Sequence, residues 1–182
     1  MSDDPLAQWL SYRDALPLAW HVAAPGELPS GWAEQNLRTL AAVTTLDERS
    51  RIDPERTDTQ EFERLHHKFD VMIELLGALL RATQSVPQPQ PVRLSREGVS
   101  WRVGEGAPPP GTRVDVDLYL HSCAPAALRW RGEVVAHHGG EVCLRFLPMP
   151  ELLQAALERH VFTRHRRSVA DARSPASRSE GH

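Results

Sequence analysis

Only two cysteines, Cys123 and Cys143, occur in the 182 residues, too few for a disulfide framework. No run is both long and apolar. The longest, Val71 to Leu80, is broken by Glu74 and falls far short of the ~20 residues that span a bilayer. Met1-Ser2-Asp3-Asp4 opens acidic, so no basic-then-apolar leader is expected. The chain lacks G-x-S-x-G, G-x-G-x-x-G and Walker patterns, which removes the common signals for acyl transfer and nucleotide hydrolysis. Nine histidines are present, with His66-His67 and His137-His138 as adjacent pairs and His121-x-Cys123 as the one mixed spacing. None fits a C-x-x-C or H-E-x-x-H frame, and His121 with Cys123 has no orienting third group in reach of the sequence. These absences point to a soluble, cytoplasmic, non-enzymatic protein with no metal site and no cofactor.

The net charge of -3 is small but uneven. Residues 1–60 hold ten acids against five arginines, and residues 159–182 hold six arginines against two acids. Arg164, Arg166 and Arg167 have phosphate chemistry, but Phe162 is the only ring beside them. Base stacking has no support there, so nucleic acid is not an expected partner. A basic helix C-terminus, favourable to the helix dipole, explains the cluster more simply.

Between 58 and 83 the sequence spells a heptad helix. Phe62, Leu65, Phe69, Met72, Leu76 and Leu79 alternate at steps of three and four, the a and d spacing of a coiled coil. Ile73 and Leu80 follow the d positions and Leu75 precedes an a position, which widens the stripe toward that of a bundle. Thr57-Asp58-Thr59-Gln60 is a capping box, and Pro87 lies beyond the last turn. These residues are the expected self-assembly surface. The competing reading is a single amphipathic helix packed on its own sheet.

Around that helix the period is two. Residues 14–23 alternate as a leading strand, which Pro17 places at an edge or a strand start. Residues 31–47 follow as a helix capped by Ser30. Ser85 to Pro91 forms a stiff polar linker. Strands then occupy residues 92–148, with Ser95-Arg96-Glu97-Gly98 and His137-His138-Gly139-Gly140 as turns. Pro150 opens a helix over 150–165, and residues 168–182 read as a disordered basic tail.

Leu94-Ser95-Arg96-Glu97-Gly98-Val99 resembles the [D/N]-x-S-x-x-G turn of the PilZ family. Gly111 to Leu118, Gly132 to Val135 and Val142 to Phe146 resemble its following strands. The order of leading strand, inserted heptad helix and Pro-linked turn is similar to the atypical, tetrameric PilZ group of xanthomonads. The resemblance implies an α+β fold: a small antiparallel barrel with an inserted heptad helix and a C-terminal helix, one domain over 1–167. It implies a homotetramer acting in cyclic di-GMP signalling through the nucleotide, an unknown protein partner, or both. The contact residues it implies are Arg93, Ser95, Arg96, Gly98 and Trp101. Arg93 stands where the family has Asp or Asn, and no R-x-x-x-R pair occurs anywhere. The guanidinium clamp for guanine and phosphate is therefore missing, and weak or absent cyclic di-GMP binding is the expectation. The alternative function is a module that has lost the nucleotide and serves as a protein-interaction scaffold.

Overall fold

The computed structural model describes residues 5–6, 8–49, 60–83, 86–104, 106–121 and 126–173. Its elements are β1 (Ser11–Val22), α1 (Trp32–Arg49), α2 (Gln60–Thr83), β2 (Pro89–Ser95), β3 (Gly98–Arg102), β4 (Arg113–Leu118), β5 (Leu128–His138), β6 (Glu141–Phe146) and α3 (Glu151–Arg173). The six strands close into an antiparallel barrel in the order β1-β2-β3-β6-β5-β4.

Closure depends on β1, which serves two partners. Residues 11–17 pair with β2 and residues 18–22 with β4. Pro17 sits where the partner changes, so its missing N–H interrupts no continuous ladder. The edge position expected from this proline is corrected accordingly, since a closed barrel has no edge. The strand also starts at Ser11 rather than 14. Arg13 and Asp14 look too polar for a strand, but each finds a charged partner, Glu141 and Arg164. Likewise β2 begins at Pro89, inside the expected linker. The extended geometry that proline favours is the geometry of a strand.

Inward alternation fills the barrel with Leu94, Val99, Trp101, Val116, Leu118, Leu128, Trp130 and Leu144, all buried. Trp130 stacks on Phe146 with ring centroids 4.9 Å apart. The β5–β6 hairpin turns on Gly139 and Gly140 at φ of 59° and 79°, the type I′ geometry that glycine makes accessible. Two helices extend the core. α1 contributes Leu40 and Val43, and α3 contributes Leu153, Leu157 and Val161. The carbonyl of Gly31 accepts the first helical bond of α1, from the N–H of Gln35, which places the cap one residue after Ser30. Asn36 then fixes α1 to β5, donating to the Arg129 carbonyl at 2.8 Å and accepting from the Arg129 N–H at 2.9 Å.

α2 differs from the other helices. Leu65, Phe69, Met72, Leu75, Leu76 and Leu79 are between 42% and 65% exposed. An amphipathic helix laid on its own sheet would bury this stripe, so that competing reading fails. Ile73 is half-buried. The side chains of Phe62 and Leu80, and the capping box at 57–59, lie outside the described residues.

α3 runs to Arg173, past both the expected end at 165 and the expected start of the tail at 168. Arg167 pairs with Asp47 at 3.0 Å, His165 Nδ1 lies 2.8 Å from the Ser11 carbonyl oxygen, and the Ser168 hydroxyl donates to the His165 carbonyl. Those anchors hold a segment whose lack of apolar periodicity suggests a tail. Residues 174–182 lie outside the described part.

Candidate functional site

The S-x-x-G turn joins β2 to β3, and its polar groups are occupied by the turn itself. Ser95 Oγ donates to the Gly98 carbonyl at 2.9 Å and accepts from the N–H groups of Gly98 and Glu97 at 3.0 and 3.3 Å. Ser95 is wholly buried, so its hydroxyl has no open side toward a ligand. Gly98 is buried against β6. A Cβ added there would collide with the Leu144 carbonyl oxygen and lie 3.3 Å from the Arg145 Cα. Trp101 faces the barrel interior with no exposed surface, its ring 6.5 Å from Trp20. Trp101, one of the expected contact residues, is thus turned away from the surface. Alternation along β3 sends residues 99 and 101 inward, and an indole in the core offers no face to a nucleotide.

The two arginines point to different surroundings. Arg96 Nε donates to Glu97 Oε1 at 2.8 Å, and its Nη1 reaches Glu158 Oε1 on α3 at 3.2 Å. These carboxylates raise the Arg96 pKa. Arg93 pairs across the sheet with Arg13 on β1 and Ser100 on β3. Beside it Glu141 accepts from Arg13 at 2.8 Å and from the Ser100 hydroxyl at 2.7 Å. Burial alone would raise the Glu141 carboxyl. The hydrogen bonds from Arg13 and Ser100, with the charges of Arg13 and Arg93, outweigh it and lower the pKa.

A groove of about 440 Å³ opens beside the turn, lined by Arg96, Glu97, Glu133, Arg145, Met149 and Gln154 among others. Arg145, Glu133 and Gln154 are not among the contact residues expected from the sequence. Register brings the first two in, because Gly98 pairs with Arg145 and Arg145 with Glu133. Counted from the Gly139-Gly140 turn, an unbroken hairpin would set Arg145 opposite Val134. The β-bulge between Val134 and Ala136 shifts the pairing by one residue and puts Glu133 there instead, a contact that sequence counting misses. Two arginines face two glutamates in this groove, so it has no excess positive charge for a phosphate.

Beside the turn, where Ser11 and Tyr12 pair with Ser95 and Leu94, α3 locks onto β1 and α1 through a polar cluster. Arg164 donates to Asp14 at 3.1 Å and Arg167 pairs with Asp47 at the end of α1. The arginines considered for phosphate contact are thus held by carboxylates, Arg166 excepted. Tyr12 Oη and His160 Nε2 form a buried hydrogen bond of 3.0 Å. Burial, and then the nearby charge of Arg164, push the His160 pKa down to about 4. An unfolded chain, with a histidine near its ordinary value, therefore binds more protons than the folded one between about pH 4 and 6.5. Stability rises with pH through that window and is fully recovered above it. From pH 7.5 to pH 5 the chain is expected to lose roughly 2 kcal/mol through His160. A His160→Gln variant should flatten this part of the curve in urea melts, and an unchanged slope would reject the assignment.

Residues 37–174 match the family described as "atypical PilZ domain, cyclic di-GMP receptor". The chain belongs to the atypical PilZ family. A solved structure from Xanthomonas campestris, described as a tetrameric PilZ domain self-assembled via a helical bundle, is 29% identical. It superposes with a TM-score of 0.64, over 90% of this chain and 92% of that one. No curated protein matches the chain. The expected family and its α+β barrel are therefore correct. Among the described residues no helix is long and apolar enough to cross a membrane, and no group of three or more His, Cys, Asp or Glu is placed to hold a metal ion. His121 is described and Cys123 is not, so their pairing lies outside the described residues.

Proposed function

We propose that this atypical PilZ protein is a non-enzymatic, oligomeric regulator in cyclic di-GMP signalling that acts chiefly through protein surfaces. The observation that carries the reading is the exposed apolar face of α2, whose leucines at 75, 76 and 79 are 55% to 65% exposed. A solvated helix has no use for such a face, and a helical bundle between copies covers it. The xanthomonad relative, described as assembling through a helical bundle, supports a tetramer here. A wild-type mass equal to the monomer by light scattering would overturn this part of the reading.

The second reading is a receptor that binds cyclic di-GMP at the β2–β3 turn, and the family description favours it. Arg93 and Arg96 would then supply the guanidinium groups in place of the missing R-x-x-x-R pair. Against it stand the carboxylates already bound to Arg96, the closed Ser95 hydroxyl, and a groove with balanced charge. Losing two or three charge-assisted hydrogen bonds, each about 1.5–3 kcal/mol, lowers affinity by several orders of magnitude. Calorimetry is expected to give weak or undetectable cyclic di-GMP binding. Sub-micromolar binding that is lost in Arg93→Ala or Arg96→Ala would establish the receptor reading instead. Sub-micromolar binding that survives both would place the ligand elsewhere on the molecule.

A further inference from the structure

α3 carries a second heptad seam on the side away from the barrel. Leu152, Ala155, Arg159, Phe162, Arg166 and Val169 succeed one another at steps of three and four. The opposite side of the helix buries Leu153, Leu157 and Val161. Leu152 is 75% exposed and Phe162 is 50% exposed. The Arg166 guanidinium lies 5.8 Å from the centre of the Phe162 ring. On the inner side Arg164 and Arg167 are neutralised by Asp14 and Asp47. Arg159 and Arg166 make no ion pair among the described residues.

We propose that this seam docks an acidic amphipathic helix of a partner protein. Spacing and charge together define the occupant. Ala155, Phe162 and Val169 form one apolar row with a seven-residue repeat, and Arg159 and Arg166 stand in the adjacent row. A helix packed knobs-into-holes on such a seam places its own side chains directly against both arginines. Glutamates there pair with them as the site dries, whereas apolar or basic residues leave guanidinium groups desolvated and unpaired. The same feature disfavours a second copy of α3, because symmetric pairing sets arginine against arginine. It disfavours α2 as well, whose a and d positions carry no carboxylate. A bilayer is a poorer occupant too. Membrane-surface helices have a wide apolar face with cations on its flanks, and here the cations lie inside a narrow stripe.

The test uses the full chain and a fluorescently labelled synthetic helix of about four heptads, with leucine at d and glutamate at a. Its twin carries lysine at a. Anisotropy is expected to show micromolar binding of the glutamate peptide and at least about tenfold weaker binding of the lysine peptide. Arg159→Glu with Arg166→Glu should weaken the glutamate peptide by at least about tenfold and reverse the preference between the two. Leu76→Glu, on α2, should leave binding unchanged, which separates this surface from the self-assembly face. Equal binding of both peptides, no binding of either below about 100 µM, or full binding by the double arginine variant would overturn the proposal. So would a change of oligomeric mass in that double variant, which would make the seam a self-interface. Capture of the wild type, but not the double variant, by phosphatidylserine vesicles without peptide binding would assign the seam to a membrane surface instead.

Discussion

Leu76→Glu is expected to convert the assembly to monomers at micromolar concentration, read by light scattering, while the barrel keeps its cooperative melt. Leu76 is an a position in the C-terminal half of the α2 stripe and is 55% exposed in the isolated chain. Covering a leucine by a neighbouring helix contributes about 1.5–3 kcal/mol. A glutamate in its place forfeits that term and puts a charge into the seam from every copy. The loss therefore recurs once per subunit. The barrel should not respond, since its core is drawn from the strands, α1 and α3 and, among the described residues, includes none of α2. Leu76→Ala should weaken the assembly less, so that it dissociates only on further dilution. A Leu76→Glu protein that keeps the wild-type mass would remove α2 from the interface.

The heptad helix and the barrel strands were legible because their signals are periodic and local. The step of three and four from Leu65 to Leu79 describes one face of a helix whatever it packs on, and the exposure of that face then excludes packing on the chain's own sheet. Alternation from Val114 to Leu118 did the same for β4. What sequence did not carry is long-range pairing. Arg13 with Glu141, Asp14 with Arg164, and Arg96 with Glu158 join residues far apart in the chain. Nothing local marks either member. The same gap explains the errors at element ends: a charge that looks like the edge of a strand or the start of a tail is internal once its partner is known. Trp101 is a different case. An aromatic ring next to a ligand motif suggests stacking, but its position in the alternation, two residues from Val99, already put it inside.

Gly98→Ala is expected to destabilise the barrel by at least about 3 kcal/mol, because the added methyl meets backbone rather than a movable side chain. The clash is with the Leu144 carbonyl, whose strand β6 is fixed by its pairing with β3 and β5. Gly98 is needed here for its missing Cβ and the close approach of two strands, not for an unusual φ. Ser95→Ala should cost less, roughly 1–3 kcal/mol, since it removes a buried hydroxyl that serves one carbonyl and two N–H groups. In a chain of this size such losses correspond to about 2–4 °C of melting temperature per kcal/mol. The two positions that most resemble a nucleotide signature are thus accounted for by the turn alone, and a ligand assay on either variant reports folding before it reports recognition. Melting curves must accompany any such assay. If Gly98→Ala melts within about 2 °C of the wild type, β6 yields more readily than its pairing implies, and the motif would need a reason beyond the turn.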